Sequence, residues 1–317
     1  MRWASASRSS EMQSPSFHKG RTLLFGLFFI CLAAALRNAD ACTLWAATGA
    51  SVEGKETLIV KNRDWAPDHA QEIRVIRPKA GYAYVALVAT GGDEPGTKAG
   101  INEKGLVIVS ATAGQLSRGG RDKAQQKPGL IKTLLADCAS VVDVLKRLDF
   151  FRRPVFYLVG DKNTIAAIEV SPEGKIHIER RTTGTLAHTN HYRAADLQGV
   201  VKPPTESSEA RLIRIEHLLK AQERPLTLDD FIRFSEDMND GPDNSIWRSG
   251  SNPKKTRTLA TWIARIPAAG SPELYLKIAN PGRHGRICRL SLDDALFLRN
   301  NLIPLNGPLC TEAPTAE

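Results

Sequence analysis

Several features that mark common functional classes are missing from this sequence. Its 317 residues carry a formal net charge of +9, yet aromatic residues make up only 6% and no basic stripe is interleaved with them. Nucleic-acid binding is therefore not supported, and the charge indicates only a mild attraction to anionic substrates or surfaces. No internal repeat and no clear linker divides the chain, and both the His-Glu-x-x-His motif of zinc enzymes and the papain-type cysteine signature are absent. We predict no metal and no other cofactor.

Long apolar runs are also rare, and the one that stands out lies near the N-terminus. Residues 22–36 are almost purely apolar, but the run is shorter than the ~20 apolar residues that a membrane-spanning helix needs. Basic residues precede it, and the small-x-small sequence Ala39-Asp40-Ala41 follows it, as in a secretory signal peptide. We therefore predict a signal peptide over residues 1–41. The mature protein, residues 42–317, is predicted to be a single periplasmic or secreted domain with no stable membrane span.

Cleavage after Ala41 would leave Cys42 with both a thiol and a free α-amine. A thiol attacks an acyl carbon as the thiolate, and a free cysteine near pH 7 is mostly protonated. An α-amine has a pKa of about 7.7–8.0, so its neutral fraction can accept the thiol proton. Cys42 is therefore a candidate nucleophile that needs no separate histidine. A lipid-anchored cysteine is the alternative, although a lipobox normally has Leu where this chain has Ala39.

Cysteine is scarce, with five in the whole chain. Cys31 would leave with the signal peptide, and export makes disulfides feasible for the others. A nucleophilic Cys42 must stay free, and Cys138 lies in a helical pattern where a buried thiol is commoner. The remaining pair, Cys288 and Cys310, is the predicted disulfide.

The hydrophobic pattern predicts that the mature chain begins with a β-hairpin. Residues 43–47 and 57–62 form its strands, and the second strand leads into Asp64. The hairpin brings the far end of this strand back beside Cys42, so that Asp64 can reach the α-amine. A strand over residues 82–90 is apolar on both faces, which indicates a sheet covered on both sides.

Further strands flank a helical middle. Strands are predicted over residues 72–77, 106–112, 155–159, 164–170, 175–180, 258–266 and 273–278, and helices over residues 130–138, 141–148, 206–220 and from 227 onward. Residues 114–128 are polar and Gly-rich, and we expect a mobile loop near the site. The pattern favours an α+β protein with two stacked sheets covered by helices.

Five short motifs occur in this order: Cys42-Thr43, Asn62-Arg63-Asp64-Trp65, Asn102-Glu103-Lys104-Gly105-Leu106, His188-Thr189-Asn190-His191 and Ser207-Ser208-x-x-Arg211. Together they resemble the N-terminal nucleophile (Ntn) hydrolases of the choloylglycine hydrolase, penicillin V acylase and acyl-CoA:6-aminopenicillanate acyltransferase group. The resemblance covers nearly the whole mature chain. It implies a four-layer αββα sandwich and cleavage of a linear amide C–N bond through an acyl-enzyme.

The resemblance also implies roles for five residues. Cys42 looks like the nucleophile, with its α-amine as the base, and Asp64 matches the aspartate that steadies that amine. Asn190 matches an asparagine whose side-chain amide helps form the oxyanion hole, where loss of one donor costs about 10²–10³ in rate. Thr112 stands where the family supplies a backbone N–H to the same hole. Arg211 matches an arginine that supports the region of the nucleophile.

One departure from the resemblance is Lys61, because the bile-salt and penicillin V enzymes usually carry Arg three residues before the aspartate. Lys cannot reproduce a bidentate contact, so a catalytic role for Lys61 is doubtful on sequence grounds. The lysine at position 61, together with the sequence of residues 188–191, favours the acyltransferase-like branch of this group.

The expected partner is a small-molecule N-acyl amide, and a homo-oligomer stays compatible with the sequence. Four aromatic residues could line an acyl pocket, although core packing is commoner: Trp45, Trp65, Tyr82 and Tyr84. The alternatives are an acyltransferase that passes the acyl group to an amine, a zinc site at His188-x-x-His191 without a third ligand, and a non-enzymatic periplasmic or lipid-anchored binding protein.

Overall fold

The structure, a computed structural model, describes residues 41–91, 94–122, 129–198, 202–280, 282–299 and 301–314. The predicted signal peptide therefore lies outside the described residues except for Ala41, and it stays a prediction. In the described ranges, no helix is both long enough and apolar enough to cross a membrane.

Most of the described chain forms strands and helices. The strands are β1 (Ala41–Thr48), β2 (Thr57–Trp65), β3 (Ala70–Ile76), β4 (Tyr84–Thr90), β5 (Gly96–Asn102), β6 (Val107–Thr112), β7 (Val155–Gly160), β8 (Ile165–Val170), β9 (Ile176–Arg181), β10 (Gly184–His188), β11 (Arg257–Ile266), β12 (Glu273–Ile278), β13 (Arg286–Ser291), β14 (Asn301–Ile303) and β15 (Cys310–Glu312). The helices are α1 (Arg118–Asp122), α2 (Leu130–Asp137), α3 (Val141–Leu145), α4 (Ala195–Gln198), α5 (Glu206–Lys220), α6 (Leu228–Ser235), α7 (Gly241–Asn244) and α8 (Asp294–Leu298).

The strands form two antiparallel sheets. One has the order β10-β1-β2-β11-β12-β13-β15 and carries Cys42, and the other has the order β14-β3-β4-β5-β6-β7-β8-β9. Both are assembled largely from neighbouring hairpins, since most sequential strands pair with each other.

Alternation along β1 and β2 separates the core into layers. Leu44 and Ile59 face the second sheet, whereas Trp45 and Val60 pack under α5 and α6 on the outer face. The outer face of the second sheet is covered in the same way by α2 and α3. Each fully buried large apolar side chain stabilises the fold by about 1.5–3 kcal/mol. The predicted α+β fold, a four-layer αββα sandwich, is confirmed.

The helices that cover the first sheet begin at capped termini. Thr205 accepts a hydrogen bond from Ser208 N–H at the start of α5, and Thr227 with Asp230 forms a capping box at the start of α6. Both helix starts agree with the sequence prediction. Helix α5 matters for the site because its first turns carry Ser208 and Arg211, both buried.

The hairpin β1–β2 sets the position of Cys42. Its tip includes Gly49 at φ +64°, where a Cβ would come within 2.6 Å of the carbonyl oxygen of Thr182. Glycine is therefore required for the tip to pack against the β9–β10 connection. The register pairs Cys42 with Arg63 and Ala41 with Asp64, so the predicted hairpin is confirmed.

Other elements differ from the sequence prediction. β5 was not predicted because Gly96–Asn102 is polar and Gly-rich, and β13 and β15 were missed at the C-terminal end. Part of the expected loop over residues 114–128 is the short helix α1, while residues 123–128 lie outside the described ranges. The disulfide between Cys288 and Cys310 is confirmed, and it joins β13 to β15.

Candidate active site

Cys42 lies near the start of β1 with its thiol on the inward face of the first sheet. Lys61, two residues before Arg63 on β2, places Nζ 3.3 Å from Cys42 Sγ and also donates to the carbonyl oxygen of Ser110 on the second sheet. Lys61 is fully buried, and burial lowers the pKa of its ammonium group. Among the described residues, the side chain that donates to this sulfur is therefore a buried lysine and not a histidine.

The backbone nitrogen of Cys42 lies in a different environment. The chain is uncut between Ala41 and Cys42, so this nitrogen is a peptide N–H, and it donates to Asn190 Oδ1 at 2.8 Å. Arg211 donates from Nη1 to the carbonyl oxygen of Cys42 at 2.7 Å and from Nη2 to Asn190 Oδ1 at 3.1 Å. Arg211 is fully buried, and burial lowers its pKa to about 10.

Asp64 lies across the hairpin from Ala41, on the outward face. Its Oδ1 accepts from the hydroxyl of Thr258 at 2.8 Å, whereas Oδ2 has no hydrogen-bond partner among the described residues. Burial raises the pKa of this carboxyl group, although the nearby guanidinium groups of Arg211 and Arg248 oppose the shift. A buried carboxylate oxygen that has no hydrogen-bond partner can accept one from an additional cationic group.

Asn190 joins the two sheets at the site. Its Nδ2 donates to the carbonyl oxygen of Thr112 at 2.9 Å, and its second amide hydrogen has no acceptor among the described residues. The loop is held from below by Ser208, whose Oγ accepts from Asn190 N–H at 3.0 Å and lies 2.8 Å from His191 Nδ1. Asn190 is thus fixed in place with one donor hydrogen still available.

The two histidines that flank Asn190 have structural neighbours. His188 Nδ1 lies 3.0 Å from the carbonyl oxygen of Thr189, and its Nε2 lies 3.3 Å from Glu169. Burial lowers the pKa of His191 to about 4. In the part of the chain that is described, no group of three or more His, Cys, Asp or Glu side chains is placed to hold a metal ion.

Arg248 is a site residue that sequence reasoning missed. It is buried, its Nη1 lies 3.9 Å from Asp64 Oδ2, and its Nε and Nη1 have no hydrogen-bond partner in the described ranges. Its backbone N–H also donates to Thr258 Oγ1, the same hydroxyl that donates to Asp64. No local motif surrounds Arg248, so the sequence contained no signal for this role.

The thiol opens onto a cavity of about 160 Å³ between the two sheets. Within the described ranges, the charged residues of its wall are the basic Lys61, Arg63, Lys98 and Arg153 and the acidic Glu94. A larger cavity of about 730 Å³ lies elsewhere, between β3, β14 and the end of β12, and it contains none of the predicted site residues. We take the smaller cavity as the candidate active site because Cys42, the candidate nucleophile, lines it.

The remaining sequence motifs divide between site and scaffold. Trp65 lines the cavity, whereas Trp45 and Tyr84 are core residues and Tyr82 packs beneath Lys104. Asn102 donates to the carbonyl oxygens of Leu135 and Cys138 at 2.8 Å, so its motif fixes the end of α2.

Comparison with known proteins identifies a family for this chain. The family model described as acyl-coenzyme A:6-aminopenicillanic acid acyl-transferase matches residues 51–278, well over half of the chain. The chain belongs to this family. The match to the acyl-transferase family includes Lys61, Asp64, Thr112, Asn190 and Arg211, and it begins after Cys42. No curated protein sequence matches the chain significantly.

Solved structures of the same fold extend the comparison. A variant of conjugated bile acid hydrolase from Clostridium perfringens covers 86% of this chain and 97% of its own, with 13% identity and a TM-score of 0.52. A second variant of that enzyme covers 87% and 97%, at 13% identity and a TM-score of 0.51. The N-acylethanolamine-hydrolyzing acid amidase ortholog of Caenorhabditis elegans covers 72% and 94%, at 13% identity and a TM-score of 0.47. The two bile acid hydrolase structures show that this member of the acyl-transferase family has the Ntn hydrolase fold.

Proposed function

We propose that this protein is an exported amidohydrolase that cleaves a linear N-acyl amide through a thioester on N-terminal Cys42. The observation that carries the proposal is the environment of that one residue. Its sulfur opens onto a cavity beside Lys61, while its nitrogen lies in a buried polar network with Asn190 and Arg211. Family membership and the hydrolase name of the conjugated bile acid hydrolase structures support the reaction class.

The reaction begins once the peptide bond after Ala41 is cut. The new α-amine of Cys42 takes the thiol proton, and the thiolate attacks the amide carbonyl carbon of the substrate. Negative charge then builds on the carbonyl oxygen, where the remaining amide hydrogen of Asn190 and the backbone N–H of Thr112 are the proposed donors. The α-ammonium returns its proton to the leaving amine, and water then hydrolyses the thioester.

Asp64 is the proposed partner of the α-amine. It faces the position that Ala41 occupies in the uncut chain, and its Oδ2, 3.9 Å from Arg248 Nη1, has no hydrogen-bond partner among the described residues. An ammonium group at the start of the mature chain would satisfy this oxygen and orient the amine toward the sulfur. Arg211 holds the carbonyl of the same residue, so both ends of the Cys42 backbone are positioned.

Lys61 is the proposed stabiliser of the Cys42 thiolate, although the related enzymes usually carry Arg at this position. Its ammonium group approaches Cys42 Sγ as a point donor at 3.3 Å, which does not require the bidentate geometry of arginine. A cation at this distance stabilises the thiolate and lowers the energy of the attacking species.

The second candidate function is acyl transfer to an amine, and the name of the matching family favours it. The two reactions share the acyl-enzyme and differ in whether water or an amine reaches the thioester. Export favours hydrolysis, since acyl-CoA donors are cytoplasmic.

The test uses mature protein that begins at Cys42, verified by intact mass and N-terminal sequencing. We would assay penicillin V, conjugated bile salts, N-acyl homoserine lactones and small N-acyl amino acids with and without an added amine acceptor. Release of free acid that depends on the Cys42 thiol supports hydrolysis, and acyl-amine product at the expense of acid supports transfer. Undiminished turnover by a Cys42→Ala variant would refute the thioester mechanism on which both reactions depend.

A further inference from the structure

The cavity beside Cys42 contains more positive charge than the proposed chemistry uses. Among the described residues, four basic side chains and one carboxylate line it. Lys61 contacts the sulfur, but the mechanism assigns nothing to Lys98, Arg153 or Glu94. A cluster of like charges in a partly enclosed site is unfavourable unless something negative balances it.

Most of these charges are already engaged. Glu94 accepts from Arg153 at 2.9 Å and from Arg121 at 3.4 Å, so its carboxylate is shared between two guanidinium groups. Arg63 bonds to Gln71 Oε1 at 2.9 Å and lies 2.9 Å from His69 Nδ1. These side chains belong to closed networks within the wall of the cavity.

Lys98 differs from the others. Its Nζ lies 5.6 Å from the centroid of the Trp65 ring, and no hydrogen bond or ion pair to it occurs within the described ranges. Glu94 and Cys42 interact electrostatically with the Lys98 ammonium group without forming a hydrogen bond to it. Burial lowers the pKa of Lys98 to about 8, which is the expected response of an ammonium group that lacks a direct counter-charge. An aromatic face compensates only part of the lost hydration.

We propose that the cavity binds a small anionic group of the substrate, a carboxylate, sulfonate or phosphate, with Lys98 as its main ligand. The identity of that ligand as a substrate rests on the proposed function, whereas anion binding beside Cys42 does not. Lys98 is then a specificity-determining residue: it favours anionic N-acyl amides over neutral ones of the same shape.

The size of the cavity limits this group. At about 160 Å³ it is well below the roughly 300–1,000 Å³ of sites that enclose a drug-sized ligand. The anionic group must therefore be short and close to the scissile amide, with the rest of the substrate outside. It lies either on the amine portion, as in an N-acyl amino acid, or on the acyl portion, as in a half-amide of a dicarboxylic acid.

The first experiment tests the pocket without any substrate. Iodoacetate and iodoacetamide alkylate a thiolate by the same displacement of iodide, but iodoacetate is an anion and iodoacetamide is neutral. We expect the rate ratio of iodoacetate to iodoacetamide at Cys42, measured by peptide mass mapping, to exceed that of a free cysteine peptide by about tenfold at low ionic strength. The ratio should fall as salt is added, because salt screens the attraction.

Variants at position 98 isolate the contribution of this lysine. Lys98→Met should lower the ratio by several-fold, and Lys98→Arg should retain it. Lys104→Met is the matched control, since Lys104 also lies over an aromatic ring, 5.4 Å from the centroid of Tyr82, but is exposed and outside the cavity. If wild-type protein shows the same ratio as the free peptide, with no salt dependence, the inference is wrong. This outcome is readable even if Lys98→Met fails to fold.

The second experiment uses matched amides. N-hexanoylglycine and N-hexanoylglycinamide differ in charge on the amine portion, and the p-nitroanilides of succinic and butyric acid differ in charge on the acyl portion. We expect kcat/KM to favour the anionic member of one pair by about tenfold or more, and Lys98→Met to reduce that preference. Equal or faster cleavage of both neutral members overturns the inference while leaving the proposed function intact. Turnover of none of the four would count against the proposed function, and the alkylation ratio then decides the inference alone.

Discussion

The two faces of strand β2 give the sulfur and the backbone nitrogen of Cys42 different surroundings. Lys61 and Arg63 point inward, toward the sulfur and the cavity, whereas Asn62 and Asp64 point outward, toward the helices and the start of the chain. The inward face is cationic and open. The outward face is closed, and Asn62 and Asp64 both make buried hydrogen bonds there, although Asp64 Oδ2 has no hydrogen-bond partner among the described residues.

In the proposed mechanism, a strand with period-two alternation therefore serves both reacting groups of Cys42, its thiol and its α-amine. The sulfur needs access to substrate and a nearby positive charge. The nitrogen needs a fixed position and a dry, hydrogen-bonded surrounding. Substitutions on the inward face should therefore change rate and selectivity, while those on the outward face should change rate and stability together.

The largest effect is expected at Cys42, whose sulfur and nitrogen contact the two faces of β2. Cys42→Ala removes the proposed nucleophile and should lower kcat/KM by at least about 10⁴-fold, measured on any substrate that the protein beginning at Cys42 cleaves. Cys138→Ala is the control, because Cys138 is also a free, buried thiol but lies in the layer behind the second sheet. Equal losses in both variants would mean that the thiol of Cys42 has no special role.

A smaller loss of kcat/KM should follow from substitution of Asp64 on the outward face. Asp64→Asn keeps the shape and an acceptor for Thr258, but it removes the negative charge that faces Arg211 and Arg248. We expect kcat/KM to fall by about 10²–10³ and the melting temperature to fall as well, since two buried cations lose their counter-charge. Asp143→Asn, at a partly exposed carboxylate on another layer, should leave kcat/KM unchanged. Loss of stability without loss of rate would assign Asp64 to the scaffold.

On the inward face, substitution of Lys61 should change the pH dependence of the reaction rate. Burial lowers the pKa of Lys61, so its ammonium, and the support it provides to the thiolate, is lost as pH rises through that lowered value. Lys61→Met should reduce the alkylation rate of Cys42 by about 10-fold to 100-fold at neutral pH. Lys61→Arg should keep a cation that does not titrate and thereby extend the alkaline limb of the pH–rate profile. Identical profiles for wild type and Lys61→Arg would contradict a titrating role.

The smallest effect is expected at His191, in the loop that follows β10. The pKa of His191 is about 4 in the folded protein, below the value of about 6.5 expected when the chain is unfolded. The unfolded state therefore binds a proton first as pH falls, so stability that is complete above about pH 6.5 is lost between there and about pH 4. His191→Asn should flatten this part of the stability–pH curve, measured by urea denaturation. An unchanged slope in the variant would show that other groups control acid sensitivity.

The sequence-based predictions succeeded where interactions are local. Cys42 and Asp64 belong to one hairpin, so strand pattern alone placed them near each other, and the Thr227 capping box marked the start of α6. They failed where the pattern is weak. β5 has polar and glycine residues in place of apolar alternation, and it forms because β4 and β6 offer hydrogen bonds on both sides.

The amino-acid sequence by itself determined the N-terminal hairpin, the amphipathic helices, the family and the set of chemically suitable residues, because each depends on short-range pattern or on residue identity. Only the tertiary structure decided that Arg248 lies beside Asp64 and that Lys98 shares a cavity with Cys42. Their side chains come from separate segments that meet only when the two sheets stack and the loop before β11 folds over the first sheet. Burial, which sets the charge balance on each face, exists only after that packing is complete.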